Sequence, residues 1–467
     1  MDRIRTLLSC EGMVPDRDRR GPLPGSREAY ASTLRMAWPC MVESFLLCMV
    51  SFVDTMMVGV LGPHAISAVG ITNQPKYILL AAIISLNMGV TAVTARRKGQ
   101  EDQAGANRCM KQSVLVCLFL SLFLAAVGIL FARPLLVFAG ADQVVLPEAV
   151  IYFQIISASL VANGLSLTIN AAQRGVGKTR IAMVTNLTAN GVNLVFNYLL
   201  INGIGPFPQW GVAGAAVATF LGNTAAFVMA LCSLLRRGGY LSVFSRARWR
   251  PDRATMSSVG KVASSAFVEQ VCLRLGFFLY AKIVAGLGMV AFAAHQICMN
   301  IINISFAVGD GLSVASSTLV GQSLGAERPD MGKLYGSIAQ RLAFVISTGL
   351  FFLFIFGRFG LLGLFTADPQ VIAMGAPVMV VIAFTTHIQT SQVIKTGCLR
   401  GAGDTKFTAV MSLISITFVR PSLTWLLCYP AGLGLLGAWI GLFIDQTIRM
   451  VLTNRRFRSG KWALMKL

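Results

Sequence analysis

The chain of 467 residues is 55% hydrophobic and only 13% charged, with a mean hydropathy of +0.68. A soluble domain carries about 25% charged residues, so these values exclude a soluble or disordered chain and indicate a polytopic membrane protein. The net charge of +21 would suit a nucleic-acid partner, but its placement at the ends of apolar runs assigns it to membrane topology, and no nucleic acid is expected.

Residues 1–32 open polar and charged, around Asp16-Arg17-Asp18-Arg19-Arg20, and read as a disordered cytoplasmic tail without a secretory signal. Twelve apolar runs long enough to cross a bilayer follow: 35–60, 65–95, 110–132, 146–171, 180–203, 212–235, 256–285, 290–320, 335–357, 370–397, 406–429 and 434–453. Backbone polar groups in lipid must be satisfied within the segment, so each is expected as a helix. The fold class is therefore all-α and polytopic, with twelve transmembrane helices.

The first span carries Glu43 and Asp54. Eleven residues are roughly three helical turns, which places both carboxylates on one face about 16 Å apart in depth. Charge in hydrocarbon is costly, and an intramembrane carboxylate is a functional candidate. The second span brings Lys76 to a depth similar to that of Asp54, so a static ion pair is the competing reading. Arg96-Arg97-Lys98 closes that span. The fourth span holds Asn163, and the fifth holds Asn193 and Asn197 one turn apart on one face, as ligands or as interhelical glue.

Between the fourth and fifth spans lies Arg174-Gly175-Val176-Gly177-Lys178-Thr179. It resembles the end of a phosphate-binding loop, but Ala172 stands where that loop needs its first glycine, and no strand precedes it. ATP binding is excluded, and a tight connection between helices is expected. Residues 238–254, with Arg246-Ala247-Arg248-Trp249-Arg250, read as a linker between two halves.

The second half repeats the first. Arg174 to Thr179 returns as Arg400-Gly401-Ala402-Gly403-Asp404-Thr405, a shift of 226 positions that also carries Leu61-Gly62 onto Leu287-Gly288 and Glu43 onto Glu269. Gly99-Gln100 answers Gly321-Gln322, and Gly214-Ala215 answers Gly437-Ala438. The seventh span holds Glu269, Arg274 and Lys282, the eighth Asp310, and the tenth Gln389, which answers Asn163. Arg420 and Asp445 follow in the eleventh and twelfth. Asp310 with Arg274, and Asp445 with Arg420, are expected as static pairs.

About 34 of the 40 Lys and Arg residues lie in the tails and in every second loop, which predicts both termini inside. Each half has an even number of spans, so the halves are expected to be related by an axis along the membrane normal, with a cavity between them. The ten cysteines form no CxxC and the three histidines no ligand spacing, so no metal or cofactor is expected.

Pro39-x3-Glu43 followed by Val53-Asp54-Thr55-x2-Val58-Gly59-x-Leu61-Gly62 resembles the first span of the multidrug and toxic compound extrusion (MATE) family. Ala95-Arg96-Arg97-Lys98-Gly99, the two Arg-Gly-x-Gly turns, Gly211-Val212-Ala213-Gly214-Ala215-Ala216-x-Ala218-Thr219, and Ala293-Ala294-His295-Gln296 extend the likeness over residues 33–455. The resemblance implies a six-helix amino-terminal lobe (33–237), a linker (238–254), a six-helix carboxyl-terminal lobe (255–455) and a cytoplasmic tail (456–467), in a V-shaped monomer.

It further implies antiport of small organic cations or amphipathic drugs against Na⁺ or H⁺, in the inner membrane of a bacterium. A lipid-linked oligosaccharide flippase of the same superfamily and a membrane-embedded enzyme are the alternatives. No clustered catalytic set is visible for the enzyme. By resemblance, Asp54, Asn193, Asn197 and Thr219 form the cation-coupling site, with a transient Na⁺ at Asp54. Some members carry aspartate at the position of Asn197. The family's second cation site falls here on Leu273 and Gln389 and reads as lost, unless Glu269 replaces it. Glu43, Asn163, Glu269 and Gln389 remain candidates for substrate contact or gating.

Overall fold

The computed structural model describes residues 9–10, 12–204, 206–236, 238–250 and 252–465. Twelve long helices follow one another: α1 (Ser26–Gly59), α2 (Pro63–Gly99), α3 (Gln103–Leu130), α4 (Leu146–Gly175), α5 (Thr179–Asn202), α6 (Gly211–Leu235), α7 (Arg253–Ala285), α8 (Met289–Gly325), α9 (Pro329–Phe356), α10 (Pro369–Ala402), α11 (Thr405–Cys428) and α12 (Gly434–Arg458). No strand occurs among the described residues.

Eleven of these helices are long and apolar enough to span a bilayer. The twelfth, α5, is long enough at 24 residues. Its sequence carries Asn186, Asn190, Asn193 and Asn197, which lower its hydropathy. The helices overrun the expected spans at their basic ends. α2 finishes on Arg96, Arg97 and Lys98, and α12 on Arg455, Arg456 and Arg458, where cations oppose the negative end of the helix dipole. α11 widens into π-helical turns over Leu413–Val419. Pro421, two residues beyond Val419, cannot donate to the preceding turn, which accounts for the local change of register.

The internal repeat is visible in the backbone. Gly62 (φ 101°) and Gly288 (φ 104°), Glu101 (φ 59°) and Glu327 (φ 58°), and Gly177 (φ 88°) and Gly403 (φ 89°) are each separated by the same 226 positions. The Arg-Gly-x-Gly turns are thus helix terminations whose second glycine takes the left-handed conformation that residues with a Cβ avoid. Helix pairing repeats too. α2 packs on α4, α4 on α6 and α5 on α6, as α8 packs on α10, α10 on α12 and α11 on α12.

The compact units do not follow the expected division at 33–237 and 255–455. One unit comprises Phe45–Phe267, and the other Met1–Ser44 with Val268–Leu467. Both boundaries fall inside the first helix of a half, so α1 and α7 each begin in one unit and end in the other. Close approach at glycine explains the exchange. A Cβ on Gly311 of α8 would lie 2.5 Å from Met41 Cα of α1, and one on Gly89 of α2 would lie 2.7 Å from the Val259 carbonyl oxygen of α7.

The unit that contains Val268–Leu467 has its core at Tyr280, Cys298, Phe354, Met379, Trp439 and their neighbours, and the unit Phe45–Phe267 is built on Leu136, Phe153, Ile156 and Ile201.

The expected disordered tail over 1–32 is corrected for its described residues, while residues 1–8 and 11 lie outside them. α1 begins at Ser26, and the preceding segment is strapped to α9. Arg20 N donates to Asp330 at 3.2 Å, Arg328 donates to the Pro22 carbonyl at 3.0 Å, Lys333 pairs with Asp18 at 3.0 Å, and Arg341 donates to the Ser9 carbonyl at 3.0 Å. Cys10 and Val14 are buried with Leu334 and Ile338. These partners lie some 300 positions away, which is why local composition reads as disorder.

The linker is likewise a strap, here on α3. Asn107 donates to the Tyr240 carbonyl at 2.9 Å, and Lys111 to the carbonyls of Ser245 and Ala247 at 2.7 and 3.2 Å. Gln112 donates to the Arg250 carbonyl at 2.6 Å.

Candidate functional site

α1 carries Asp54, α5 carries Asn193 and Asn197, and α6 carries Thr219, and the fold brings all four together. α5 and α6 can approach because Gly222 has no side chain. A Cβ there would lie 2.7 Å from the Ala189 carbonyl oxygen and 3.1 Å from Asn193 Cβ. Asn197 Nδ2 donates to Asp54 Oδ1 at 2.7 Å and reaches Asn193 Oδ1 at 3.3 Å. Asn193 Nδ2 donates to Thr219 Oγ1 at 3.2 Å.

The Asn193 amide satisfies its neighbours better when turned over, since amide orientation follows from the hydrogen-bond network. Its nitrogen then donates to Asp54 Oδ1 at 2.9 Å, and its oxygen accepts from Thr219 Oγ1 and Thr219 N, each at 3.2 Å. In that arrangement one carboxylate oxygen holds two amide donors. Both asparagines are buried, while Asp54 is half-buried. Asn197 Oδ1 is buried without a hydrogen-bond partner among the described residues.

The competing static pair is not formed. Lys76 lies within Coulombic range of Asp54, but no salt bridge joins them among the described residues. Asp54 faces α5 instead, where Asn197 holds it. Tyr152 of α4 is also within Coulombic range of Asp54. Sequence reasoning missed it, because a buried tyrosine in an apolar helix gives no signal apart from ordinary core.

In the second half, Glu269 and Asp445 are bound by guanidinium groups. Glu269, 2% exposed, accepts from Arg400 at 2.6 and 3.4 Å, from Thr408 at 3.0 Å and from Ser412 at 3.3 Å. The expected Asp445–Arg420 pair is present, with Nη2 at 2.6 Å and Nε at 3.0 Å from Oδ2. Arg449 adds a third contact at 3.1 Å, and Ser415 donates to the other carboxylate oxygen. Arg449 sits one turn beyond Asp445, an i,i+4 relation legible in the sequence but not drawn from it.

The expected Asp310–Arg274 pair is not among the ion pairs of the described residues. α8 packs on α10, and the charge near Asp310 is that of Arg400.

Other candidates stand apart from Asp54. Glu43 is buried in the part of α1 that belongs with residues 268–467. Asn163 is half-buried on α4 and takes no part in the Asp54 hydrogen bonds. Gln389 is fully buried, and neither of its amide atoms has a partner among the described residues.

Oxygen donors suit a hard monovalent cation. Among the described residues, the fitting atoms are the Asp54 carboxylate and the unpartnered Asn197 Oδ1. No group of three or more His, Cys, Asp or Glu side chains that would hold a resident metal occurs among the described residues.

A repeated six-helix plan with an intramembrane carboxylate in its first span now meets its family. The MatE family model matches residues 39–199 and 265–426, about the same stretch of each repeat. The chain belongs to the MatE family of multidrug and toxic compound extrusion transporters. It is 28% identical over 438 residues to a probable multidrug resistance protein NorM of Thermotoga maritima, covering 93% of each chain. It is 27% identical over 460 residues to the multidrug resistance protein PmpM of Pseudomonas aeruginosa, covering 92% of this chain and 93% of that one.

A solved MOP-superfamily transporter from Pyrococcus furiosus superposes with a TM-score of 0.86 at 20% identity, over 93% of this chain and 97% of that one, and shares the fold. This MatE chain is therefore a multi-pass membrane transporter.

Proposed function

We propose that this MatE transporter is a secondary active multidrug exporter that moves cationic or amphipathic compounds outward in exchange for Na⁺ or H⁺. It would work as a monomer in a bacterial inner membrane with both termini inside. The reading rests on Asp54. It is an intramembrane carboxylate whose hydrogen-bond partners are neutral amides and which has no salt-bridge partner among the described residues. Such a group must take up a cation or a proton, and a repacking of α1 against α5 on uptake would bias one access state over the other.

α5 supports the reading from its other side. Thr188, Gly191, Val192, Val195 and Phe196 recur at helical spacing on the face away from Asn193 and Asn197, and line an open apolar cavity of about 360 Å³. One helix thus carries the proposed cation ligands on one face and an open apolar surface on the other.

The test is transport in proteoliposomes loaded with a fluorescent cationic dye, driven by a Na⁺ gradient or a pH gradient without ATP. Gradient-driven export by the wild type and its loss in Asp54→Asn are expected. Transport that requires ATP, or full export by Asp54→Asn, overturns the proposal.

A further inference from the structure

The inter-half strap offers a surface that coupling at Asp54 does not use. Its backbone is held by a column of polar side chains on the first turns of α3. Gln103 and Asn107 take the Tyr240 carbonyl, Asn107 Oδ1 accepts from Ser242 N at 2.8 Å, Lys111 takes two carbonyls, and Gln112 grips Arg250 O and Asp252 N. Lys111 is 1% exposed, so its charge is spent entirely on the strap and on the ring of Trp249, 5.2 Å away. Lys98 sits 3.9 Å over the Tyr240 ring.

With the backbone fixed inward, the charged side chains stand outward. Arg246, Arg248 and Arg250 are exposed and make no ion pair among the described residues, and no acidic residue lies between 241 and 251. Phe244 is 64% exposed and Trp249 43% exposed beside them. The strap lies at the α3 end where the apolar stretch begins at Val114, three residues after Lys111.

The amino-terminal strap makes the contrast. It also carries three arginines, but two acids stand among them, and one of these answers Arg19 directly. Arg19 pairs with Asp16 at 2.9 Å and Asp18 pairs with Lys333.

We propose that residues 244–250 are a docking surface for anionic phospholipid headgroups of the bilayer that the protein spans. Three outward guanidinium groups match the phosphate charge, and two exposed aromatic rings beside them suit the headgroup level of a membrane. The alternation of arginine at every second position on a pinned, non-helical backbone distinguishes this surface from basic residues that merely mark topology.

The test uses the full chain in vesicles of phosphatidylcholine alone or mixed with phosphatidylglycerol. Its readouts are the phosphatidylglycerol retained per protein after detergent extraction and the thermal unfolding midpoint. The wild type is expected to retain phosphatidylglycerol selectively and to unfold later in the mixed vesicles. In R246Q/R248Q/R250Q this preference is expected to fall about a hundredfold. It should persist in R17Q/R19Q/R20Q and in R246K/R248K/R250K.

No preference in the wild type overturns the proposal. So does an undiminished preference in the R246Q/R248Q/R250Q variant, or an equal loss in the amino-terminal variant. Protection by inorganic phosphate or soluble glycerol phosphate equal to that by phosphatidylglycerol would reassign the surface to a free anion and also overturn it.

Discussion

Asp54 in the first half of this duplicated chain, and Glu269 and Asp445 in the second, are held by opposite kinds of partner. In the first, Asp54 is held by the amides of α5, and Lys76 stays outside salt-bridge reach. In the second, Glu269 is bound by Arg400, and Asp445 by Arg420 and Arg449. A guanidinium is a permanent counter-ion, because it does not lose its proton in a protein. An amide offers a hydrogen bond without charge, and leaves the carboxylate in need of a cation. Under the proposed function, the same scaffold carries one carboxylate suited to exchange and others locked into structure.

The largest effect should follow from removing the exchangeable charge. Asp54→Asn keeps shape and hydrogen bonding, and gradient-driven dye export is expected to fall at least 100-fold with little change in folding yield. The comparison breaks if the Lys76→Ala, Asp54→Asn double variant recovers transport. That result would mean the pair is structural after all. Asn197→Asp sharpens the same point. A second carboxylate beside Asp54 should change the ion dependence of transport, measured as the apparent affinity for Na⁺ and the pH profile.

A locked acid should respond in stability instead. Arg420 and Asp445 are 1% and 0% exposed, and removing one member leaves the other's charge less compensated in a low-dielectric interior. Arg420→Met is expected to cost about 3–5 kcal/mol. The measurement is reversible unfolding in mixed micelles. Dye export per folded molecule should stay within about twofold of wild type, since a factor of ten would correspond to about 1.4 kcal/mol on the transport step. A variant that folds normally but loses ion dependence would place coupling in the second half. Glu269→Gln should act more weakly, by about 1–3 kcal/mol, because the amide oxygen can still accept from Arg400 and Ser412.

Much of the fold was legible because lipid imposes a length and a periodicity on each span. The 226-residue shift seen in Gly177 and Gly403 returns as matching left-handed turns. Asp54, Asn193 and Asn197 were also legible, since polar groups in an apolar run stand out, while Thr219 came only through the family resemblance. Partner choice was harder. Asp54 with Lys76, and Asp310 with Arg274, looked plausible by depth, but depth says nothing about which helices touch. α1 turns Asp54 to α5, and α8 packs on α10. Neither strap was legible. Cys10 and Val14 are too few to signal burial, and Lys111 reads as an interfacial charge until the carbonyls of Ser245 and Ala247 close on it. The transfer of α1 and α7 between compact units depends on the contacts of Gly311 and Gly89, which no local pattern announces.

The smallest effect belongs to Thr219, the outermost member of the Asp54 network. Its hydroxyl touches Asn193 at 3.2 Å and also lies 3.0 Å from the Ala215 carbonyl, so it steadies the amide without reaching the carboxylate. Thr219→Val keeps the volume and removes this hydrogen bond, worth about 0.5–1.5 kcal/mol. With Asn193 less firmly oriented, the amide it presents to Asp54 samples more than one rotamer, and the cost falls on ion binding rather than on turnover. The expected outcome is a two- to tenfold weaker apparent affinity for the coupling ion, an order of magnitude set by that single bond. The maximal export rate should be unchanged at saturating ion. Asn193→Ala removes the oriented group itself and should weaken affinity further. If Thr219→Val instead lowers the maximal rate with affinity intact, the hydroxyl acts in the motion of α6 against α5, and the contrast between an exchangeable and a locked half would need to be drawn from helix movement rather than from the partners of each acid.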